Sequence, residues 1–279
     1  MANQSQKNLL ELAKQAKAKG NLQQSAQYLG EALRSGYDQE IALALVDVDL
    51  ELGEKAEAYA LIKEEKDLFS DKKVFAKYLE VLAAMHYRIE FLQLQQLVGH
   101  ELAVKVEPVS EDEQEKIMGA FKMLKAVKSS DYQKLYQLSE DNFVRFAQSC
   151  LLDPSCDFVV HSALTEDLVK MAVDQDLNIL VLGKQESFNP SQTPLLSHDK
   201  VYSKVVHTIA ASYSDNPSRL PLILGEANFI LAAIYPKLDK YVSDPEGFAH
   251  DLDNFISTRD GGLNQDLLEK AFKQLPKRR

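Results

Sequence analysis

Tryptophan is absent from the 279-residue chain, cysteine occurs only twice, and glycine and proline are sparse at 11 and 9. Two cysteines cannot build a disulfide framework in a chain this long. So few backbone breakers favour long helices and argue against a turn-rich all-β fold. There is also no run of the roughly 20 apolar residues that span a bilayer. The most apolar stretch, LPLILGEANFILAAIYP, is interrupted by Glu226 and Asn228 and reads as a core helix. The opening MANQSQKNLL leads into an amphipathic segment with no apolar core of a signal peptide. A cytoplasmic protein with no membrane partner is therefore expected. Positive charge is the minority, with 32 Lys and Arg against 42 Asp and Glu and a net charge of −10. Nucleic acid needs a clustered basic surface, and the terminal Lys277-Arg278-Arg279 is too short to supply one, so no nucleic-acid partner is expected.

What the chain does have is helical periodicity. Leu9, Leu12, Ala13 and Ala16 fall on one face, and Leu22, Ser25, Leu29, Ala32 and Leu33 on the face of a second helix. Gly20-Asn21 interrupts the two and supplies the turn, since both residues tolerate left-handed backbone angles. The small residues Gly20, Ser25, Gly30 and Ala32 suit helices packed backbone to backbone. A second hairpin turns at Gly53, 33 residues after Gly20, with Ala58 and Ile62 on its second helix. A third, degenerate unit runs from Val74 through Tyr87 to Leu102, its first stripe being Phe75, Tyr78, Leu79, Leu82 and Ala83.

A period near 34 is that of tetratricopeptide repeats, and over about the first 105 residues the sequence resembles that family. With Gln6 as the first repeat position, Leu9, Leu12, Ala13, Gly20, Ser25, Leu29 and Ala32 fall at its characteristic places. Ser25 replaces the usual Ala, Tyr37 stands where Pro often closes a repeat, and Asp49 occupies a normally apolar position. The resemblance implies antiparallel helical hairpins stacked as a solenoid, whose inner surface is lined by first-helix residues not used in packing. Carried over, these are Lys7, Leu10, Lys14, Lys17 and Ala18 in the first unit, and Glu40, Leu43, Asp47, Leu50 and Glu51 in the second. Three lysines on one face favour an acidic peptide or chain terminus; the competing reading is the solvated face of an amphipathic helix. The clamp some related repeats use for a C-terminal carboxylate has Lys then Asn, where this chain has Leu10 and Lys14.

The pattern changes at EPVSEDEQEK, where Glu107-Pro108 disfavours helix and Ser110 is placed to start a new one. The boundary divides 1–107, the repeats, from 108–279, a helical C-terminal domain. Within the latter, helices are expected at Tyr132–Leu138, Glu140–Leu151, Phe158–Val173, Asp199–Tyr213, Pro221–Tyr235, Pro245–Ser257 and Asn264–Leu275. The segment NILVLGKQESFNP reads as a β-hairpin near 178–188. The order of helix, hairpin and Asn-Pro is also similar to that of uncharacterised bacterial tetratricopeptide-like proteins, a resemblance that implies no activity.

No phosphate loop, GxGxxG, HExxH, CxxC or GxSxG is present. Cys150, Cys156 and His161 lack a fourth ligand and the CxxC knuckle of a structural zinc site. Glu111, Asp112, Glu113 and Glu115 point around a helix rather than converging. His198 and His207 lie on different faces. No catalytic residue, metal or cofactor is assigned. The expectation is a mainly α, non-enzymatic scaffold that holds a protein or peptide in its repeat groove. The alternatives are an enzyme or small-ligand protein with a pocket in the C-terminal half, and a homodimer that buries the exposed repeat face.

Overall fold

The computed structural model describes residues 4–214 and 217–275, so the terminal Lys277-Arg278-Arg279 lies outside the described residues. The chain is mainly helical, with a single two-stranded antiparallel sheet among the described residues. The described residues divide into two compact units: residues 4–95, 100–122 and 133–140 form the first, and the remaining described residues form the second.

The first unit begins with paired helices. Helices α1 (Gln4–Ala18) and α2 (Leu22–Arg34) form one hairpin, α3 (Gln39–Leu52) and α4 (Lys55–Lys63) the next, and α5 (Lys72–Met85) and α6 (Arg88–Val98) a third. Gly20 and Gly53 sit in the turns at φ +77° and +83°, where a side chain is strained. Each turn closes alike: the Asn21 amide donates to the Ala16 carbonyl at 2.9 Å, and the Glu54 amide to that of Asp49 at 2.8 Å. The third hairpin makes the same left-handed turn without glycine, at His86 with φ +58°. Three N-termini are capped by Asn21, Asp38 and Asp71, whose side-chain oxygens accept from the amides two or three residues on.

Where α1 meets α2, Ser25 is buried and its Oγ donates to the Ala13 carbonyl at 2.9 Å. A hydroxyl in place of the usual methyl is thus hydrogen-bonded rather than stranded. Ala58 is fully buried at the corresponding place in α4. The expected inner stripe of α1 needs one correction, because Leu12 is 43% exposed. The inward stripe is Gln6, Ala13 and Ala16, with Leu9 and Leu10 beside it. Gln6, buried despite its amide, donates to the Ala32 carbonyl at 3.2 Å and to the Gly36 carbonyl at 2.6 Å, at the end of α2. The Ala32 carbonyl also accepts from the Ser35 amide and hydroxyl, so the glutamine adds a partner from a neighbouring helix to the C-terminal end of α2.

Helix α7 (Glu111–Lys122) begins directly after Ser110, and the Glu113 and Gln114 amides donate to the Ser110 carbonyl. The segment expected to be helical from Tyr132 to Leu138 is instead the end of the five-residue α8 (Ser129–Gln133) followed by a 3-10 turn, Lys134–Gln137.

In the second unit, α9 (Glu140–Leu151) and α10 (Phe158–Lys170) lead into β1 (Leu177–Val181) and β2 (Lys184–Phe188). The strands pair from Leu177 with Phe188 to Val181 with Lys184, around a turn at Leu182-Gly183. Leu177, Ile179, Val181 and Phe188 are buried, so one face of the ribbon is held by core packing. Gln148 fixes β1 to α9: its amide donates to the Asn178 carbonyl at 2.7 Å and accepts from the Asn178 amide at 2.9 Å. Helices α11 (Lys200–Ser212), α12 (Leu220–Ile234), α13 (Leu238–Tyr241), α14 (Pro245–Thr258) and α15 (Gln265–Gln274) complete the unit. The apolar stretch of α12 is a core helix, with Ile223, Ala227, Ile230, Leu231 and Ile234 buried. Among the described residues no helix is long and apolar enough to cross a membrane.

Candidate functional site

The candidate residues fall on α1 and α3, the first helices of their hairpins. Lys7 and Lys14 are exposed and Lys17 is half-buried. Leu10 is half-buried and packs against the cluster of Ala13, Leu29, Ala32, Ile41 and Val48, so part of this groove candidate is core. Leu43, Asp47 and Leu50 are half-buried on α3, while Glu40 and Glu51 are exposed.

Ion pairs tie the first helices of successive hairpins to one another. Lys14 lies 3.8 Å from Glu40, and Lys17 lies 2.8 Å from Glu51, both from α1 to α3. Lys77 of α5 lies 2.6 Å from Asp47 of α3 and also pairs with Glu80. Burial works against the Lys77 charge, but hydrogen bonds to Asp47 and Glu80 outweigh it and hold its pKa above the ordinary lysine value. The face running across α1, α3 and α5 is thus one of paired charges, not a bare cationic stripe. Exposed pairs of this kind each contribute about 0–1 kcal/mol.

Behind that face lies a second polar group that periodicity alone does not reveal. Glu90 of α6 is buried and accepts from the Tyr59 hydroxyl at 2.7 Å, the Tyr78 hydroxyl at 2.6 Å and Lys63 Nζ at 2.8 Å. Lys63 Nζ also lies over the Tyr78 ring, 5.2 Å from its centroid. Burial first, and the Glu90 charge second, push both tyrosine pKa values well up. The group joins α4, α5 and α6 and is satisfied internally, so its role is structural.

Asp49 differs. It is 9% exposed on α3, and burial, then Glu57 and Glu54, push its pKa up to about 6. Alignment of the two hairpins by their turns places it where α1 has the buried Ala16.

Cys150 lies at the end of α9 and Cys156 in the following turn; both are partly buried and neither is in a disulfide. A hydrogen bond with Cys150, then burial, raises the Cys156 thiol far above its ordinary range, which disfavours the reactive thiolate. Burial lowers the His161 pKa. Among the described residues no group of three or more His, Cys, Asp or Glu is arranged to hold a metal ion. Glu111, Asp112 and Glu113 occupy the first turn of α7, where carboxylates complement the helix dipole.

No family model, curated protein or solved structure matches the chain.

Proposed function

We propose that the protein is a non-enzymatic binding scaffold, that α1–α6 are a short helical-repeat array of tetratricopeptide type, and that a partner segment lies along α1, α3 and α5. The ion pairs from α1 to α3 and from α3 to α5 carry this reading, because they run between first helices of successive hairpins. Such helices side by side present an extended surface suited to a peptide. The 33-residue equivalences support the repeat itself: Gly20 with Gly53 in the turns, and Ser25 with Ala58 and Leu29 with Ile62 in buried positions. The partner is a protein or peptide segment. It has apolar side chains for Leu43 and Leu50, and acidic groups that exchange with Glu40 and Glu51 at Lys14 and Lys17.

The test is recovery of partners from native extract on immobilised protein, comparing wild type with Leu43→Glu and with Gln27→Glu on the exposed side of α2. A specific partner lost with Leu43→Glu and kept with Gln27→Glu supports the site, provided both variants retain helical circular dichroism. Equal recovery by both rejects it.

A further inference from the structure

A second surface lies on the loops joining one hairpin to the next. Two large aromatics stand out there: Tyr37, between α2 and α3, is 62% exposed, and Phe69, between α4 and α5, is 60% exposed. Exposed aromatics held in fixed positions are the residue types that dominate binding surfaces. Both are held. The Tyr37 hydroxyl donates to Glu65, which ties the first loop to the loop that carries Phe69. Leu68, buried at 6% exposure, anchors that loop. The Phe69 ring packs on Phe75 and Tyr78 at 6.4 and 6.5 Å between centroids, edge-on to Tyr78.

The electrostatics of the edge give the sign of its partner. Glu65 is 6% exposed, its side-chain partner is the Tyr37 hydroxyl, and no lysine or arginine pairs with it among the described residues. A carboxylate so buried is ordinarily compensated by a cation. Lys63, close in sequence, is already engaged by Glu90. Arg34 and Lys66 are exposed, as are Lys72 and Lys73 at the start of α5. Burial of the phenol first, then Glu65, Asp67 and Asp38, raise the Tyr37 pKa. Asp38 spends one oxygen on the amides of Glu40 and Ile41, and Asp67 accepts from Ser70 Oγ at 3.2 Å.

We propose that this edge binds an arginine side chain of a basic protein or peptide segment, its guanidinium stacking on Phe69 and Tyr37 and pairing with Glu65 and Asp67. A guanidinium fits better than an ammonium because it is planar, stacks on aromatic rings and donates in a fork to carboxylates. The net charge of −10 steers a cationic segment toward the protein as a whole, and the aromatic pair gives it a specific place to dock. This inference is independent of the face formed by α1, α3 and α5.

The experiment is fluorescence anisotropy of the full-length protein with three labelled nonapeptides, (Gly-Arg-Gly)3, (Gly-Lys-Gly)3 and (Gly-Glu-Gly)3, at low salt. The arginine probe should bind more tightly than the lysine probe, and the glutamate probe should not bind. Phe69→Ala and Asp67→Asn should each weaken the arginine probe by roughly threefold, the scale of one exposed cation–π contact or ion pair. Glu111→Gln combined with Glu113→Gln, which removes charge elsewhere, should keep binding. Equal binding of arginine and lysine probes with an equal loss in the Glu111/Glu113 variant would reduce the effect to diffuse acidity and overturn the proposal. Binding of the glutamate probe, or none of the arginine probe up to millimolar protein, would overturn it as well. Asp67 is exposed, so its variant keeps the test decisive if Phe69→Ala disturbs the fold.

Discussion

Asp49 offers the sharpest test of the physical account. Its carboxylate sits 9% exposed at the place where α1 carries Ala16, with Glu57 and Glu54 adding like charge, and its pKa is pushed up to about 6. An unfolded chain returns it to the ordinary aspartate value of about 3.9. Because the folded-state value is the higher one, the native protein holds the extra proton between about pH 4 and 6. Stability therefore falls as pH rises through that window and stays at its lower level above it. At about 1.4 kcal/mol per pKa unit the full penalty is about 3 kcal/mol, and the solvent that still reaches the carboxylate reduces it to roughly 1–2 kcal/mol. Asp49→Asn removes the charge at nearly constant shape. Asp49→Ala reproduces the residue of the first hairpin and adds the helix preference of alanine, about 0.5 kcal/mol. Both variants should be more stable than wild type at pH 7.5, and the gain should shrink toward zero for Asn near pH 4. Urea unfolding followed by far-ultraviolet circular dichroism at several pH values reads this directly. A variant no more stable than wild type at pH 7.5, or a gain that does not change with pH, would refute the reasoning.

Three further outcomes follow from the same structure. Gly53→Ala should cost about 1 kcal/mol through its φ of +83° alone, since a β-carbon there meets nothing within 4 Å; thermal unfolding checks it. Glu90→Ala should cost about 3 kcal/mol or more, because it removes the acceptor shared by the buried Tyr78 hydroxyl, the half-buried Tyr59 hydroxyl and Lys63, whereas Tyr59→Phe should cost about 1 kcal/mol in the same urea assay. Ser25→Ala should lose about 1 kcal/mol with the bond to the Ala13 carbonyl, and Ser25→Leu more than 2 kcal/mol from overpacking the fully enclosed crossing of α1 and α2.

Much of the helical framework was legible because it rests on local rules. Gly20 and Gly53 marked real turns because glycine is the residue that enters the left-handed region without strain. The β-hairpin was legible from Ile179, Leu180, Val181 and Leu182 closed by Gly183. The third hairpin was harder to see because His86, not glycine, makes its left-handed turn. Hydrophobicity alone puts Leu12 on the inward face, yet it is exposed, whereas Gln6 holds an inward place through hydrogen bonds formed 26 and 30 residues away. The same limit applies to the candidate face. Repeat positions implied by the family resemblance single out Lys14, Lys17, Glu40 and Asp47, but their pairing depends on how α1, α3 and α5 pack, which no local pattern encodes. Glu65 and Glu90, likewise, look like solvated charges in sequence and are buried acceptors in the fold.

The central claim is that a partner segment lies along the first helices of the hairpins, and site-specific photo-crosslinking tests it most directly. A photoreactive phenylalanine placed singly at Leu43, at Lys14 and at Gln27 is irradiated in native extract, and adducts are mapped by mass spectrometry. The scaffold reading predicts one common partner crosslinked from positions 43 and 14, within the same short segment of that partner, and none from position 27. Adducts from position 27 equal to those from 43 and 14, or none from 43 and 14, would contradict it.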